Sequence, residues 1–498
     1  MTPPPKPRVG ARLARWALVL SVLGAALRLV GLGRQGLWSD EQFTLLQTSS
    51  TWGRVFQMGS AEVHPPTFAI LAHLWVGAVG GSTSEARLLP ALIGILTVLL
   101  AWRGLRDCGF DATTRNVLTA MVACSGMALV HTQDFRSYGL LLLLFSTGAT
   151  AAALRLAQER SFRRSHVLAL WCLAASATHL FGMLLGLCLA VALRAGRLPG
   201  RSVRPAVLAA LVPQVLWCVP GVLFTDGFAE GAKFPAPDLH ALTDLLMAVL
   251  GGGHPTQVAG GFRFPQPWLL VPVLVLAVLA LAAHRRPGAR TGAIDAFALH
   301  RRVLGVTVLL LVFGTWTVSQ AVHLWALRNL IVVLPATVWW FGLWIRSTTL
   351  DATVRDRLTA ALLGALTLSL TMTGLGLWRP YKTDFTRAIQ WYVSIKQERP
   401  ELLLVGNVNP SWALGTDIQS DPDAFHQLTA PSRIVDRDTF PLDAIPRQLP
   451  TVYLYYLTIG QSSAEKDQIV VDQARGDGQC TVEPLEQIVA VFCDPVAH

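Results

Sequence analysis

Long apolar segments alternate with short basic segments through the first three quarters of the chain. Most apolar segments are about 17 to 22 residues long, enough for a helix to cross a hydrocarbon core of about 30 Å. One shorter segment, 65–81, carries His73, and if it crossed the membrane, the basic loop 103–115 would face away from the basic N-terminus. If 65–81 lies along the membrane surface instead, every basic segment falls on the N-terminal side. The pattern therefore predicts about eleven transmembrane helices, at 13–32, 86–104, 115–131, 136–156, 166–180, 181–194, 204–224, 267–284, 302–320, 328–346 and 357–378.

This arrangement leaves most of the polar residues on the outer face. The first outer loop, 33–85, has helical spacing around "SDEQFTLLQT" and again after "HPP", which predicts two helices that lie at the membrane interface. A long outer loop covers 225–266. The tail alternates polar helical stretches with strand-like ones such as "PTVYLYYLTIG". We therefore predict a transmembrane domain, 1–378, followed by a small α/β domain, 379–498.

Composition supports a membrane protein and excludes an ordinary soluble enzyme. Of the 498 residues, 52% are hydrophobic and 14% are charged. The net charge of +10 does not indicate nucleic-acid binding, because the arginines are dispersed between apolar segments. Two of the seven cysteines, Cys480 and Cys493, flank a strand-like stretch in the tail, and they can form a disulfide if the tail faces an oxidising compartment.

A cluster of ionisable and polar residues is predicted at the outer ends of several helices. Ionisable groups at membrane depth are costly, so a set of them on one face indicates a functional site. The candidates are Asp40, Glu41, His64, Arg87, Asp134, Arg136, Tyr138 and Arg328.

These residue types suit group transfer from a phosphate ester that is held in the membrane. An ionised carboxylate can take the proton of an acceptor hydroxyl, and we assign this role to Asp40. Guanidinium groups present forked donors that match phosphate. The arginines assigned to phosphate are Arg87, Arg136 and Arg328. His64 and Asp134 are candidates for holding a divalent cation, or they contribute hydrogen bonds alone; no other cofactor is indicated.

The order of several short motifs resembles a known family. The segments "DEQF", "HPPTFAILAHLW", "SEARLLPALIG", "TQDFRSYGLLLLL", "LRNLIVVLPA" and "KTDFTRAIQWY" follow one another. This order is similar to that of the GT-C-type integral membrane glycosyltransferases, in particular the bacterial branch related to protein O-mannosyltransferases and lipid A aminoarabinose transferase. It extends over most of the first 350 residues and again over 382–392.

The resemblance implies a polyprenyl-phosphate sugar donor, and transfer of the sugar to an envelope glycan, lipid or protein at the periplasmic face of the bacterial inner membrane. The N-terminus would then be cytoplasmic and the C-terminal domain periplasmic. The acidic residue of the family's first loop corresponds to Asp40, with Glu41 beside it. Further site residues correspond to Asp134, Arg136 and Tyr138. The chain departs from some relatives at Thr67, where they carry Lys or Arg.

Other interpretations of the same residues remain open at this stage. Asp40 and Glu41 follow Ser39, so they also suit the first turn of a surface helix. Arg87 and Arg136 can act as interfacial anchors. A polymerase or ligase that acts on diphosphate-linked glycans is an alternative enzyme, and it would be distinguished by needing a lipid-diphosphate donor. A transporter would show related halves and carboxylates near the bilayer midplane, and the sequence shows neither.

Overall fold

The computed structural model describes most of the membrane domain and parts of the tail. The described residues are 9–49, 51–53, 55–56, 65–136, 140–224, 236–258, 261–285, 297–322, 324–379, 382, 385–406, 432–434, 450–456, 480–485 and 488–494.

Helices dominate the described residues. The α-helices are α1 (Val9–Leu27), α2 (Ser39–Thr48), α3 (Thr67–Val79), α4 (Thr83–Asp107), α5 (Ala112–Cys124), α6 (Gly126–His131), α7 (Leu140–Glu159), α8 (Phe162–Ser176), α9 (Leu180–Ala195), α10 (Gly200–Phe224), α11 (Leu239–Leu246), α12 (Val271–Arg285), α13 (Ala298–Leu309), α14 (Thr315–Val322), α15 (Leu334–Ile345), α16 (Ala352–Leu377) and α17 (Phe385–Glu398). A short π-helical turn, Met247–Gly251, extends α11, and a second one, Leu310–Gly314, connects α13 to α14. Short 3₁₀ turns precede α12 and α15.

Six helical segments of the described residues are long and apolar enough to cross a membrane. They are Val9–Leu27, Thr83–Asp107, Leu141–Glu159, Pro267–His284, Ala298–Val322 and Ala352–Leu377. Shorter apolar helices include Thr67–Val79, Leu180–Ala195, Leu239–Gly251 and Asn329–Ile345. The predicted polytopic helical fold is therefore confirmed, whereas the number of eleven spans stays a prediction.

Side-chain caps explain where several of these helices begin. The carboxylate of Asp111 accepts hydrogen bonds from the backbone N–H groups of Thr113 and Thr114, which begins α5. Ser82 and Glu85 form a reciprocal capping box at the start of α4. The carboxylate of Glu85 is therefore accounted for by this helix end.

Helix α5 lies at the centre of the bundle, and nearly all of its side chains are buried. Its closest neighbour is α1, where a Cβ at Gly24 would lie 2.6 Å from the carbonyl oxygen of Ala123. A larger residue at position 24 would therefore force the two helices apart. This close approach fixes the end of α1, from which the first outer loop continues.

The first outer loop contains the two predicted helices, α2 and α3. The Nδ1 atom of His73 on α3 lies 2.6 Å from the carbonyl oxygen of Thr48 at the end of α2, which joins the two helices. At the start of α3, the hydroxyl of Thr67 donates to the carbonyl oxygen of Ala177 at the junction of α8 and α9. The loop is thus bonded to the bundle, and its position at the membrane interface stays a prediction.

The tail folds as the predicted α/β unit. A hairpin of the long outer loop comprises β1 (Thr256–Val258) and β2 (Gly261–Arg263). After helix α17 come five strands, β3 (Leu403–Gly406), β4 (Ser432–Ile434), β5 (Thr451–Tyr456), β6 (Cys480–Leu485) and β7 (Ile488–Cys493). They form one sheet whose order is β4-β3-β5-β7-β6. Strands β3, β4 and β5 are parallel, and β6 and β7 pair antiparallel.

The two tail cysteines are bonded to each other. Cys480 and Cys493 are direct partners across β6 and β7, and they form a disulfide. Disulfides of this kind persist in oxidising compartments. Other described cysteines, such as Cys124 and Cys172, are free thiols buried in the helical bundle.

Candidate active site

The two adjacent acids of the first outer loop face different surroundings. They occupy the first turn of α2, where the backbone N–H groups and the helix dipole favour negative charge. Because successive residues of a helix point about 100° apart, the side chains of Asp40 and Glu41 leave α2 in different directions. The side chain of Glu41 is completely buried, whereas that of Asp40 is 25% exposed.

Glu41 is the centre of a buried network of charges. Arg87 donates to it through two atoms, with Nε 2.8 Å from Oε1 and Nη2 2.6 Å from Oε2. The ammonium of Lys382 lies 3.2 Å from Oε2, and the backbone N–H of Phe135 donates to Oε1 at 2.9 Å. A carboxylate with this many donors and no exposure is not available to an acceptor hydroxyl. The geometry does not favour a catalytic role for Glu41.

The guanidinium of Arg87 is also fully hydrogen-bonded within the protein. Besides its two bonds to Glu41, Nη1 donates to the carbonyl oxygens of Leu32 and Gln35, and Nη2 donates to that of Gly36. A guanidinium has five N–H donors, and these contacts use all five. The predicted contact between Arg87 and a phosphate therefore does not fit this arrangement. Instead, Arg87 ties α4 to the turn that precedes α2.

Asp134 is the second buried carboxylate of the network. Its Oδ1 atom accepts a hydrogen bond from the indole N–H of Trp38 at 2.8 Å, and its Oδ2 atom lies 3.3 Å from Nδ1 of His131. Lys382 lies 3.8 Å from Oδ1. Burial acts to raise the pKa of Asp134, but the charge of Lys382 and the hydrogen bonds from His131 and Trp38 outweigh it and hold the pKa below the ordinary value. Asp134 is thus an ionised structural acid.

Asp40 faces a different pair of cations. Its Oδ2 atom accepts a hydrogen bond from Nη1 of Arg328 at 2.8 Å and lies 3.8 Å from Nε of Arg136. Arg136 is further oriented by a hydrogen bond to the hydroxyl of Thr44 on α2, at 2.9 Å. All three charged side chains are partly exposed. These three groups, which we call the Asp40 cluster, carry one negative and two positive charges.

His179 lies at the edge of the Asp40 cluster. It is the N-cap of α9, where its Nδ1 atom accepts the backbone N–H of Phe181 at 3.1 Å. The ring proton must therefore be on Nε2. Arg136 and Arg328 lie close enough for their charges to act on the ring. No local sequence pattern predicts that His179 lies beside these arginines, because the three positions are far apart in the chain.

Lys382 is a buried site residue that the sequence patterns did not predict. It follows the last long helix, where a lysine also suits a membrane flank, and its acidic partners are several hundred residues away. Burial and the nearby charge of Arg87 lower the pKa of Lys382 to about 8, and Glu41 and Asp134 oppose that shift. The only sequence signal was its place at the start of the "KTDF" motif.

Some predicted site residues cannot be placed. His64 and Tyr138 lie outside the described residues. Within the described ranges, no three His, Cys, Asp or Glu side chains lie together in a way that could hold a metal ion. Asp134 does not suit a cation, because the ammonium of Lys382 already lies beside it. A metal contact by His64 stays a prediction.

Comparisons with known proteins identify the fold. No protein-family model and no curated protein matches the chain. Among solved structures, ArnT from Cupriavidus metallidurans bound to undecaprenyl phosphate matches with a TM-score of 0.53 and 14% identity, over 97% of this chain and 98% of that one. The same protein in the apo state matches with a TM-score of 0.53 and 13% identity, over 96% and 98%. The chain therefore has the fold of ArnT along nearly its whole length, which confirms the resemblance at the level of the fold.

Proposed function

We propose that the protein is a membrane glycosyltransferase that moves a sugar from a polyprenyl-phosphate carrier to an acceptor at the periplasmic face of the inner membrane. The fold is that of a protein whose crystal structure contains undecaprenyl phosphate. The observation that carries the proposal is the Asp40 cluster, in which a partly exposed carboxylate lies between two arginines.

The charges of the Asp40 cluster suit such a reaction. A sugar linked to a lipid phosphate is a phosphodiester with one negative charge, which would neutralise the net positive charge of the cluster. When the sugar leaves, the carrier becomes a phosphate monoester, so negative charge develops on the phosphate. Guanidinium groups placed where charge develops stabilise the transition state. Arg136 and Arg328 are therefore proposed to bind the phosphate.

Asp40 is proposed to act as the general base. The hydroxyl oxygen of the acceptor forms a bond to the anomeric carbon while the bond from that carbon to the phosphate oxygen breaks. The acceptor proton goes to Asp40, and the lipid phosphate leaves with the electron pair. A single displacement of this kind inverts the anomeric centre.

The disulfide supports the proposed orientation. Cys480 and Cys493 are bonded in the C-terminal domain, whereas the free cysteines lie in the bundle. An oxidising surrounding suits the periplasm and not the cytoplasm. Since the C-terminal domain follows directly on α16, and Lys382 contacts the first outer loop, the Asp40 cluster would face the same compartment.

Replacing Arg328 by Gln is expected to weaken the binding of undecaprenyl phosphate. A hydrogen bond to a charged group contributes about 1.5 to 3 kcal/mol, so the dissociation constant should rise about 10- to 100-fold. Binding to the purified protein in lipid nanodiscs measures this. Arg103→Gln is the control, because Arg103 is 60% exposed and pairs only with Asp107 among the described acids. Equal affinities for the two variants would remove Arg328 from the phosphate site.

Mass spectrometry of the cell envelope tests the function itself. Cells that lack the gene should lose one glycan decoration and accumulate one sugar linked to undecaprenyl monophosphate. Both changes should be reversed by the wild-type gene. An accumulated lipid diphosphate would instead indicate a glycan polymerase or ligase. An unchanged set of lipid-linked sugars and glycans would contradict the proposal.

A further inference from the structure

A charged side chain from the start of the C-terminal domain, that of Lys382, reaches into the membrane domain. Lys382 lies between the end of α16 and the start of α17, and its side chain is only 1% exposed. The side-chain amide of Gln35, in the first outer loop, uses both of its polar atoms to hydrogen-bond to the backbone at Arg379 and Lys382. Gln35 Nε2 donates to the carbonyl oxygen of Arg379 at 2.9 Å, and its Oε1 atom accepts the backbone N–H of Lys382 at 3.2 Å.

The ammonium of Lys382 joins two parts of the site. It lies 3.2 Å from Glu41 and 3.8 Å from Asp134, and it donates to the carbonyl oxygen of Gln133. It also lies 5.7 Å from the ring centre of Phe262, in the hairpin of the long outer loop. Lys382 thus contacts the first outer loop, the turn before α7 and the long outer loop at one point.

Among the four described groups Glu41, Asp134, Arg87 and Lys382, the charges balance only when Lys382 is present. Glu41 and Asp134 carry two negative charges, and Arg87 supplies one positive charge. Without Lys382, one carboxylate would remain buried and uncompensated, which is strongly unfavourable. That carboxylate would have to take up a proton or move toward water.

Movement of either carboxylate would disturb the Asp40 cluster. Glu41 is adjacent to Asp40 in the first turn of α2, and Asp134 is two residues from Arg136. We propose that Lys382 is a positioning residue, through which the C-terminal domain holds Asp40 and Arg136 in place, so that this domain is part of the working site. The effect of Lys382 on catalysis rests on the proposed function, since that function assigns the roles of Asp40 and Arg136.

Titration distinguishes positioning from a simple loss of packing. Among the described residues, the charged and titratable groups that face Lys382 include Glu41, Asp134, Arg87 and, through Asp134, His131. In Lys382→Met, burial without a compensating cation should raise the pKa of one carboxylate above its value in the unfolded chain. The folded state would then be most stable at low pH and would lose stability as the pH rises through the raised pKa. Wild-type protein should not show this loss below pH 7.5, because its Asp134 has a lowered pKa.

The test uses the full chain in nanodiscs, with undecaprenyl phosphate as the probe. Lys382→Met should bind the probe about tenfold less tightly than wild type at pH 7.5 and recover most of the affinity at pH 6. The melting temperature of Lys382→Met should also be higher at pH 6 than at pH 7.5. The double variant Lys382→Met/Asp134→Asn keeps the pair of Glu41 and Arg87 and restores neutrality. Because the probe phosphate itself titrates near pH 6, each variant is compared with wild type at the same pH, and the double variant should differ from wild type by the same amount at both pH values.

Lys396→Met is the matched control. Lys396 is another buried lysine of the C-terminal domain, and its ammonium donates to the carbonyl oxygens of Pro400 and Leu402, away from the site. If Lys382→Met and Lys396→Met melt and bind alike at both pH values, Lys382 is not a positioning residue. If the wild type does not bind the probe, the proposed function fails, and the pH dependence of melting still decides whether Lys382 holds the buried carboxylates.

Discussion

Replacing Asp40 by Asn is expected to lower the rate of sugar transfer by about 10²- to 10⁴-fold, the range that a general base contributes. Asn has the shape of Asp but cannot accept the proton of the attacking hydroxyl. The protein should still fold, because the side chain of Asp40 is partly exposed, and the carbonyl oxygen of Asn in its place can still accept the hydrogen bond from Arg328. Transfer is measured with membranes from cells that accumulate the lipid-linked sugar, and folding by size-exclusion chromatography.

Asp238→Asn is the matched control for this substitution. Asp238 also begins a helix on the predicted outer face, where its carboxylate accepts the backbone N–H of Ala241 at 3.0 Å. Asn caps a helix as well as Asp, so this variant should retain both fold and transfer. Undiminished transfer by Asp40→Asn, at a normal amount of folded protein, would show that Asp40 is not the base.

Replacing Glu41 by Gln is expected to impair folding rather than chemistry alone. Glu41 balances Arg87 and Lys382, and all three side chains are almost completely buried. Removing one partner of a buried ion pair costs about 3 to 5 kcal/mol, because the remaining charges are left without compensation. The variant should therefore melt at a clearly lower temperature in detergent, and less of it should reach the membrane in folded form.

Asp107→Asn serves as the reference for Glu41→Gln. Asp107 pairs with Arg103 at 3.2 Å, and both side chains are largely exposed. Exposed ion pairs contribute little to stability, so the free energy of unfolding of this variant should lie within about 1 kcal/mol of the wild-type value. If Glu41→Gln were as stable as Asp107→Asn and still failed to transfer sugar, Glu41 would have a catalytic role that the buried network does not suggest.

The sequence patterns locate the site, but they do not show which of its residues take part in the reaction and which stabilise the structure. Asp40 and Glu41 are neighbours in one short helix, and only the packing of that helix shows that Glu41 points inward. Arg87 and Arg136 have the same side chain and similar positions at helix starts. The carbonyl oxygens that accept hydrogen bonds from Arg87 belong to a turn whose path the sequence pattern does not specify.

The lysine of the network illustrates why long-range contacts are hard to predict. Lys382 and Glu41 are 341 positions apart by their numbering, and no periodicity connects them. By contrast, the strands around Val452 and Val491 were predictable, because a local pattern of β-branched and aromatic residues specifies them. The basic segments also supported a membrane topology, since charge on the loops is a property of sequence alone.

A structure of the protein with undecaprenyl phosphate tests the central claim most directly. Cryo-electron microscopy in nanodiscs should place the phosphate within hydrogen-bond distance of Arg136 and Arg328, with Asp40 beside the position of the anomeric oxygen. Glu41, Arg87 and Lys382 should retain their mutual contacts and not touch the lipid. A phosphate bound by Arg87, or at a distance from Asp40, would contradict the division of this site into a reactive cluster and a buried supporting network.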